Sequence, residues 1–123
     1  MEHPALCDWI AFAGGNVCIP SKLLHDFGGF DEGFATVWGC EDLELGYRLW
    51  KAKQPFVYQY NAVNYHMTHI RRNFAEDHLR STLYFYSKHK DPNILLFHEY
   101  ATGNLTLDQF FRDINEKGGK DIL

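Results

Sequence analysis

The stretch Trp38-Gly39-Cys40-Glu41-Asp42-Leu43-Glu44-Leu45-Gly46-Tyr47-Arg48-Leu49-Trp50 decides how this chain is read. Leu43, Gly46, Tyr47 and Trp50 recur at i, i+3, i+4 and i+7, one face of an amphipathic helix. Glu44, Arg48 and Lys51 fall on the opposite face, which the pattern assigns to solvent, with Glu44 four residues ahead of Arg48 in the favourable order. Glu41 and Asp42 occupy the first turn, where carboxylates interact well with the positive end of the helix dipole. Ahead of the helix stands Gly28-Gly29-Phe30-Asp31-Glu32-Gly33-Phe34, a glycine-punctuated loop. Together with Trp38 it supplies three aromatic side chains, Phe30, Phe34 and Trp38. A carboxylate beside an exposed ring suits a sugar: the ring stacks on the apolar sugar face, and the carboxylate accepts hydroxyl hydrogens or acts as a base. Ordinary acidic capping of a helix start is the competing explanation of the same residues.

Outward from this centre the pattern alternates. Trp9-Ile10-Ala11-Phe12-Ala13 is a short apolar run suited to a buried strand, which Gly14-Gly15 interrupts and Val17-Cys18-Ile19 resumes. Glycines inside a strand pattern mark a bulge or a close approach by a ligand or another backbone. Ser21 serves as N-cap of a short helix through Phe27, with Leu23, Leu24 and Phe27 inward and Gly28 closing it. Beyond the central helix, Phe56–Tyr60 and Ala62–Tyr65 read as strands. A second helix begins near Glu76, with Leu79, Thr82, Leu83 and Tyr86 inward, and Asp91-Pro92-Asn93 breaks it. Thr106-x-x-Gln109 has capping-box form and opens a last helix bearing Leu107, Phe110, Phe111 and Ile114; the tail from Gly118 to Leu123 is expected to fray. The expected fold is therefore α/β (α+β), a short mixed sheet with flanking helices. Residues 1–75 form one unit, and 76–123 a helical extension packed on it.

At 123 residues the chain holds at most one domain with a real core. A formal charge of −4 gives no basis for a nucleic-acid partner. Cys7, Cys18 and Cys40 are odd in number and lack CxxC spacing, which points to free thiols in a reducing, cytoplasmic setting. No apolar run reaches bilayer length.

His66 and His69 follow the second extended piece, three residues apart. Imidazoles so spaced can bind a divalent metal or serve as hydrogen-bonding side chains, and two alone do not complete a site. A small structural metal domain using both histidines and a cysteine is a further reading.

Gly14-Gly15-Asn16, then Gly28-Gly29-Phe30-Asp31-Glu32, then Trp38-Gly39-x-Glu41-Asp42-x-Glu44-Leu45-Gly46-Tyr47-Arg48-Leu49 resembles the C-terminal half of GT-A-fold glycosyltransferases, over roughly Trp9 to His69. The likeness is to family-2 enzymes and to the galactosyltransferase and N-acetylgalactosaminyltransferase groups, which implies a partial GT-A fold. It also implies transfer of a hexosyl or N-acetylhexosaminyl group from a UDP-sugar to a glycan acceptor. Asp42 would be the base, Glu41 would orient the acceptor, and Trp38 with Gly39 would contact it. Gly14, Gly15 and Asn16 would line the floor of the sugar site, with Asp31 beside it. A Mn²⁺ or Mg²⁺ ion would take His66, with His69 as rival ligand. Such enzymes carry a nucleotide-binding half with a DXD motif before the Gly-Gly-Asn stretch, and only eight residues precede Trp9 here. The resemblance thus implies a fragment, inactive alone, self-associating, and membrane-associated only through parts it lacks. A non-catalytic carbohydrate-binding or oligomerising module that kept the acceptor pocket is the alternative.

Overall fold

The computed structural model describes residues 7–118, so the expected frayed tail from 119 onward and the outer ends of the two expected units lie outside it. The architecture is helical: α1 (Ser21–Asp26), α2 (Glu41–Lys51), α3 (Phe74–His89), α4 (Pro92–Ala101) and α5 (Leu107–Gly118). Short 3₁₀ turns stand at Asp8–Ala11, Gly14–Asn16 and Glu32–Phe34. No strand occurs among the described residues, which overturns the expected mixed sheet. The reason is local. Ile10 N–H and Phe12 N–H donate to the carbonyls of Cys7 and Trp9, three residues back, and coil the first apolar run. Gly14 and Gly15 belong to a 3₁₀ turn, not to a bulge. Phe56–Tyr60 and Ala62–Tyr65 have no ladder partner, and Val57, Tyr60, Val63 and Tyr65 are exposed. An extended run without a neighbour to pair with is not a strand.

Coiling the first run drives Trp9 inward, where Tyr47, Phe85 and Phe97 meet its ring edge to face at 5.5, 5.7 and 5.6 Å. Around it, Phe34, Leu43, Ile94, Phe110 and Ile114 form one core joining α2 to α3, α4 and α5. A second cluster, Phe12, Leu45 and Leu49, packs against α1 through Leu23, Leu24 and Phe27. Helix α2 lies between the two clusters. Gly46 makes this close: a Cβ there would come within 2.5 Å of the Phe12 Cβ.

Two facial assignments change. Glu44 is fully buried, not solvated, because Arg48, Lys88 and His89 surround its carboxylate. On α3 the buried face is His78, Ser81, Thr82 and Phe85, one residue round from the expected one, and Leu79 and Leu83 are exposed. The inward polar groups satisfy one another, so polarity does not turn that face outward.

The helix ends follow their residues. Gly28 and Gly29, with φ of 76° and 70°, close α1, whose first residue is Ser21 and whose N-cap is Pro20. Asp91 caps α4 by accepting from Asn93 N–H, with Pro92 in the first turn, and α4 occupies a stretch whose periodicity alone did not declare a helix. Thr106 and Gln109 form the reciprocal capping box: Thr106 N–H donates to Gln109 Oε1 at 2.9 Å, and Gln109 N–H to Thr106 Oγ1 at 3.2 Å.

Candidate active site

A cleft of about 900 Å³ opens between the Gly14–Asn16 turn, the loop from Phe30 to Trp38, the head of α2, and the segment carrying Asn64, His66 and Arg71. Gly39 and Cys40 both have positive φ, 97° and 68°, and this double left-handed step swings the chain from Trp38 into α2. The step brings Trp38 to the lip, 44% exposed, and lets Glu41 and Asp42 line the cleft. Ser81 Oγ donates to the Trp38 carbonyl at 2.6 Å and fixes that lip to α3.

Asp42 is held from two sides. Its Oδ2 accepts from Gly14 N–H and its Oδ1 from Leu43 N–H, both at 2.7 Å. A Cβ on Gly14 would lie 3.3 Å from Oδ2, so the close approach marked by that glycine is to the carboxylate of Asp42. Each oxygen keeps lone-pair capacity for a further donor. Glu41 has no hydrogen-bond partner among the described residues.

Asp31 lines the cleft with its oxygens engaged inward. It accepts from Lys88 Nζ, from Gly33 N–H at 2.8 Å and from Tyr84 OH at 2.9 Å. The Lys88 bond, then the Gly33 amide, hold its pKa down to about 2. Asn16 and Gly15 take part in a reciprocal clasp: Asn16 Nδ2 donates to the Ala62 carbonyl at 2.9 Å, and Asn64 Nδ2 to the Gly15 carbonyl at 2.6 Å. The clasp hangs the His66 segment over the cleft.

His69 Nε2 accepts from Arg71 Nε at 3.0 Å, so its hydrogen sits on Nδ1 and points to the Met67 carbonyl at 3.2 Å. Both its nitrogens are engaged. His66 lines the cleft with its ring 5.7 Å from that of His69. No three His, Cys, Asp or Glu side chains converge to hold a metal ion among the described residues. Of the two expected metal ligands, His66 keeps uncommitted ring nitrogens among the described residues and His69 does not. The Arg71 guanidinium lies over the Trp38 ring, 3.8 Å from its centroid, and Phe74 approaches the same ring at 5.5 Å.

Behind the cleft wall is a buried polar knot. His78 and His98 share one hydrogen between Nδ1 atoms 2.7 Å apart, and His78 Nε2 faces Cys40 Sγ at 3.9 Å. Burial, then the neighbouring His98, lowers the His78 pKa to about 4. Arg71, Asn64, Ser81 and this knot escaped the sequence reading. The doublet Arg71-Arg72, two residues after His69, is the signal in the sequence for a cation near the site. A second hollow, about 500 Å³, lies under residues 54–60 against Phe12, Leu23 and Leu49, and no charged side chain lines it.

Comparison with known proteins accords with the motif. The family described as the N-terminal domain of galactosyltransferase matches residues 7–72. Chondroitin synthase of Escherichia coli is 47% identical over 55 residues, covering 45% of this chain and 8% of that protein. Validoxylamine A glucosyltransferase of Streptomyces hygroscopicus subsp. jinggangensis (strain 5008) is 54% identical over 41 residues, 33% of this chain and 10% of its own length. Hyaluronan synthase of Pasteurella multocida is 52% identical over 40 residues, 32% of this chain and 4% of its own length. The matched part of the chain thus spans a tenth or less of these relatives. No solved structure matches. No helix is long and apolar enough to cross a membrane among the described residues.

Proposed function

Because the chain belongs to the family described as the N-terminal domain of galactosyltransferase, we propose that its cleft is the acceptor side of a sugar-transfer site. The reaction is transfer of a hexosyl or N-acetylhexosaminyl group, of the galactose or N-acetylgalactosamine type, from a UDP-sugar to a hydroxyl of a glycan. The observation that carries this reading is Asp42, clamped by the Gly14 and Leu43 amides at the mouth of the cleft beside a half-exposed Trp38.

A base must be aimed as well as present, and two amide bonds restrict Asp42 to one orientation. In the proposed step the acceptor hydroxyl oxygen bonds to the anomeric carbon while the bond from that carbon to the diphosphate oxygen breaks. UDP leaves with the bonding electrons, and the hydroxyl proton passes to Asp42. Glu41, free of internal partners, accepts from a neighbouring hydroxyl and orients the sugar. Asp31, engaged with Lys88 and Tyr84, keeps the loop in shape and does not itself compete for substrate.

The test is a radiolabelled transfer assay in the enzyme that carries these residues, scanned over UDP-sugars. Asp42→Asn is expected to lower turnover by about 10²–10⁴-fold, the usual loss for a general base. Glu41→Gln is expected to raise the acceptor KM more than it lowers turnover. Wild-type turnover in Asp42→Asn would remove the base from the reading.

A further inference from the structure

Arg71 is the basic side chain lining a cleft whose other charged groups, His66 apart, are Asp31, Glu32, Glu41 and Asp42. It is also held. Its guanidinium carbon lies over the Trp38 ring, 3.8 Å from the centroid, and Nε donates to His69 Nε2 at 3.0 Å. His69 is anchored in turn by its Nδ1 hydrogen on the Met67 carbonyl. The hydrogens on the two Nη atoms have no partner among the described residues, and Arg71 is exposed. A guanidinium fixed in this way presents a pre-organised fork, which suits a planar oxyanion through two parallel hydrogen bonds. Stacking on an aromatic ring strengthens the arrangement without using the fork.

We infer that Arg71 is a specificity-determining residue of the cleft, selecting a sugar that carries a carboxylate, such as a hexuronate; this rests on the acceptor-site reading above. The charges favour a single carboxylate. One fork supplies one positive charge, and Glu41 and Asp42, without internal cation partners, oppose a multiply charged diphosphate in the same cleft. Trp38 then has two functions: its ring seats the arginine, and the part of it left exposed borders the sugar.

The experiment titrates the chain with methyl β-glucuronide and with methyl β-glucoside, which differ only by carboxylate against hydroxymethyl, and reads tryptophan emission with Trp38→Phe as the source control. The uronide is expected to bind about tenfold to a hundredfold tighter, as for a charge-assisted hydrogen-bonded pair. In Arg71→Gln the ratio of the two affinities is expected to fall to near one, with Arg71→Lys between. Equal affinities in the wild type, or a preference that survives in Arg71→Gln, overturn the inference and leave the acceptor site standing. Pyrophosphate that binds through Arg71 while the uronide does not overturns it in favour of the donor diphosphate. Failure of both glycosides to bind removes the acceptor-site reading itself.

Discussion

At position 44 a carboxylate with no exposed surface meets two cationic side chains, Arg48 and Lys88, and the imidazole of His89. Arg48 Nε reaches both oxygens at 3.0 and 3.1 Å, and Lys88 Nζ and His89 Nε2 each lie 2.8 Å from Oε1. Burial pushes its pKa up, but the hydrogen bonds from Lys88 and His89 and the Arg48 charge more than offset this, so the net shift is downward. Through Lys88 the network continues to Asp31, and Arg48 also donates to the carbonyls of Phe27 and Gly29. One buried acid therefore ties α2, α3 and the glycine loop of the cleft together. Glu44→Gln removes the charge but leaves the cations half buried, and is expected to destabilise by about 3–5 kcal/mol in urea unfolding. The exposed Lys22–Asp26 pair is the control: Asp26→Asn is expected to change stability by less than about 1 kcal/mol. Spacing alone put Glu44 in water, because an i,i+4 Glu–Arg pair reads the same on a solvated face as in a buried network. What distinguishes the two, Lys88 and His89, lies more than forty residues away in the chain.

Between elements, α2 packs closely on the turn Asp8–Ala11 and its neighbour Phe12. Gly46→Ala would press a methyl into Phe12 and is expected to cost about 1–3 kcal/mol, an overpacking loss visible in the same unfolding assay. Helices α2 and α5 were legible because a long periodic pattern agreed with a signal at the helix start: the acidic first turn at Glu41 and Asp42 in one, the Thr106/Gln109 capping box in the other. Apolar runs such as Trp9–Ala13 are too short to carry a period, so they could not separate a strand from a tight helical turn. The register of α3 failed differently. Thr82 was correctly placed inward, but Leu79 and Leu83 were chosen over His78 and Ser81, whose burial depends on Cys40, His98 and the Trp38 carbonyl. Asp42, Glu41 and Trp38 were found together because chain neighbours at a helix head stay neighbours in space. Arg71, carried to Trp38 from thirty-three positions away, was not.

For the molecule as a whole, acid should act through the knot that joins α2, α3 and α4. His78 packs against Cys40 and Thr82 and shares its hydrogen with His98, and Phe74 and Phe97 flank its ring. Its folded pKa of about 4 lies below the ordinary 6.5, so the unfolded chain takes up this proton first as pH falls. The stability it contributes is full above pH 6.5 and is lost progressively toward pH 4. Between pH 7 and 5 the loss should be about 2 kcal/mol. Urea midpoints measured across that window check this, and a flat profile would show that the ring protonates as easily folded as unfolded.

The three thiols stand at two depths, Cys18 at the surface and Cys7 and Cys40 in the core. Burial pushes the two inner thiols to about 11 and about 12, so neither is a nucleophile at neutral pH. An alkylating reagent thus marks Cys18 at once and the other two only when the core opens. The mass of the labelled chain, followed in time, is a clock that the molecule carries for its own unfolding.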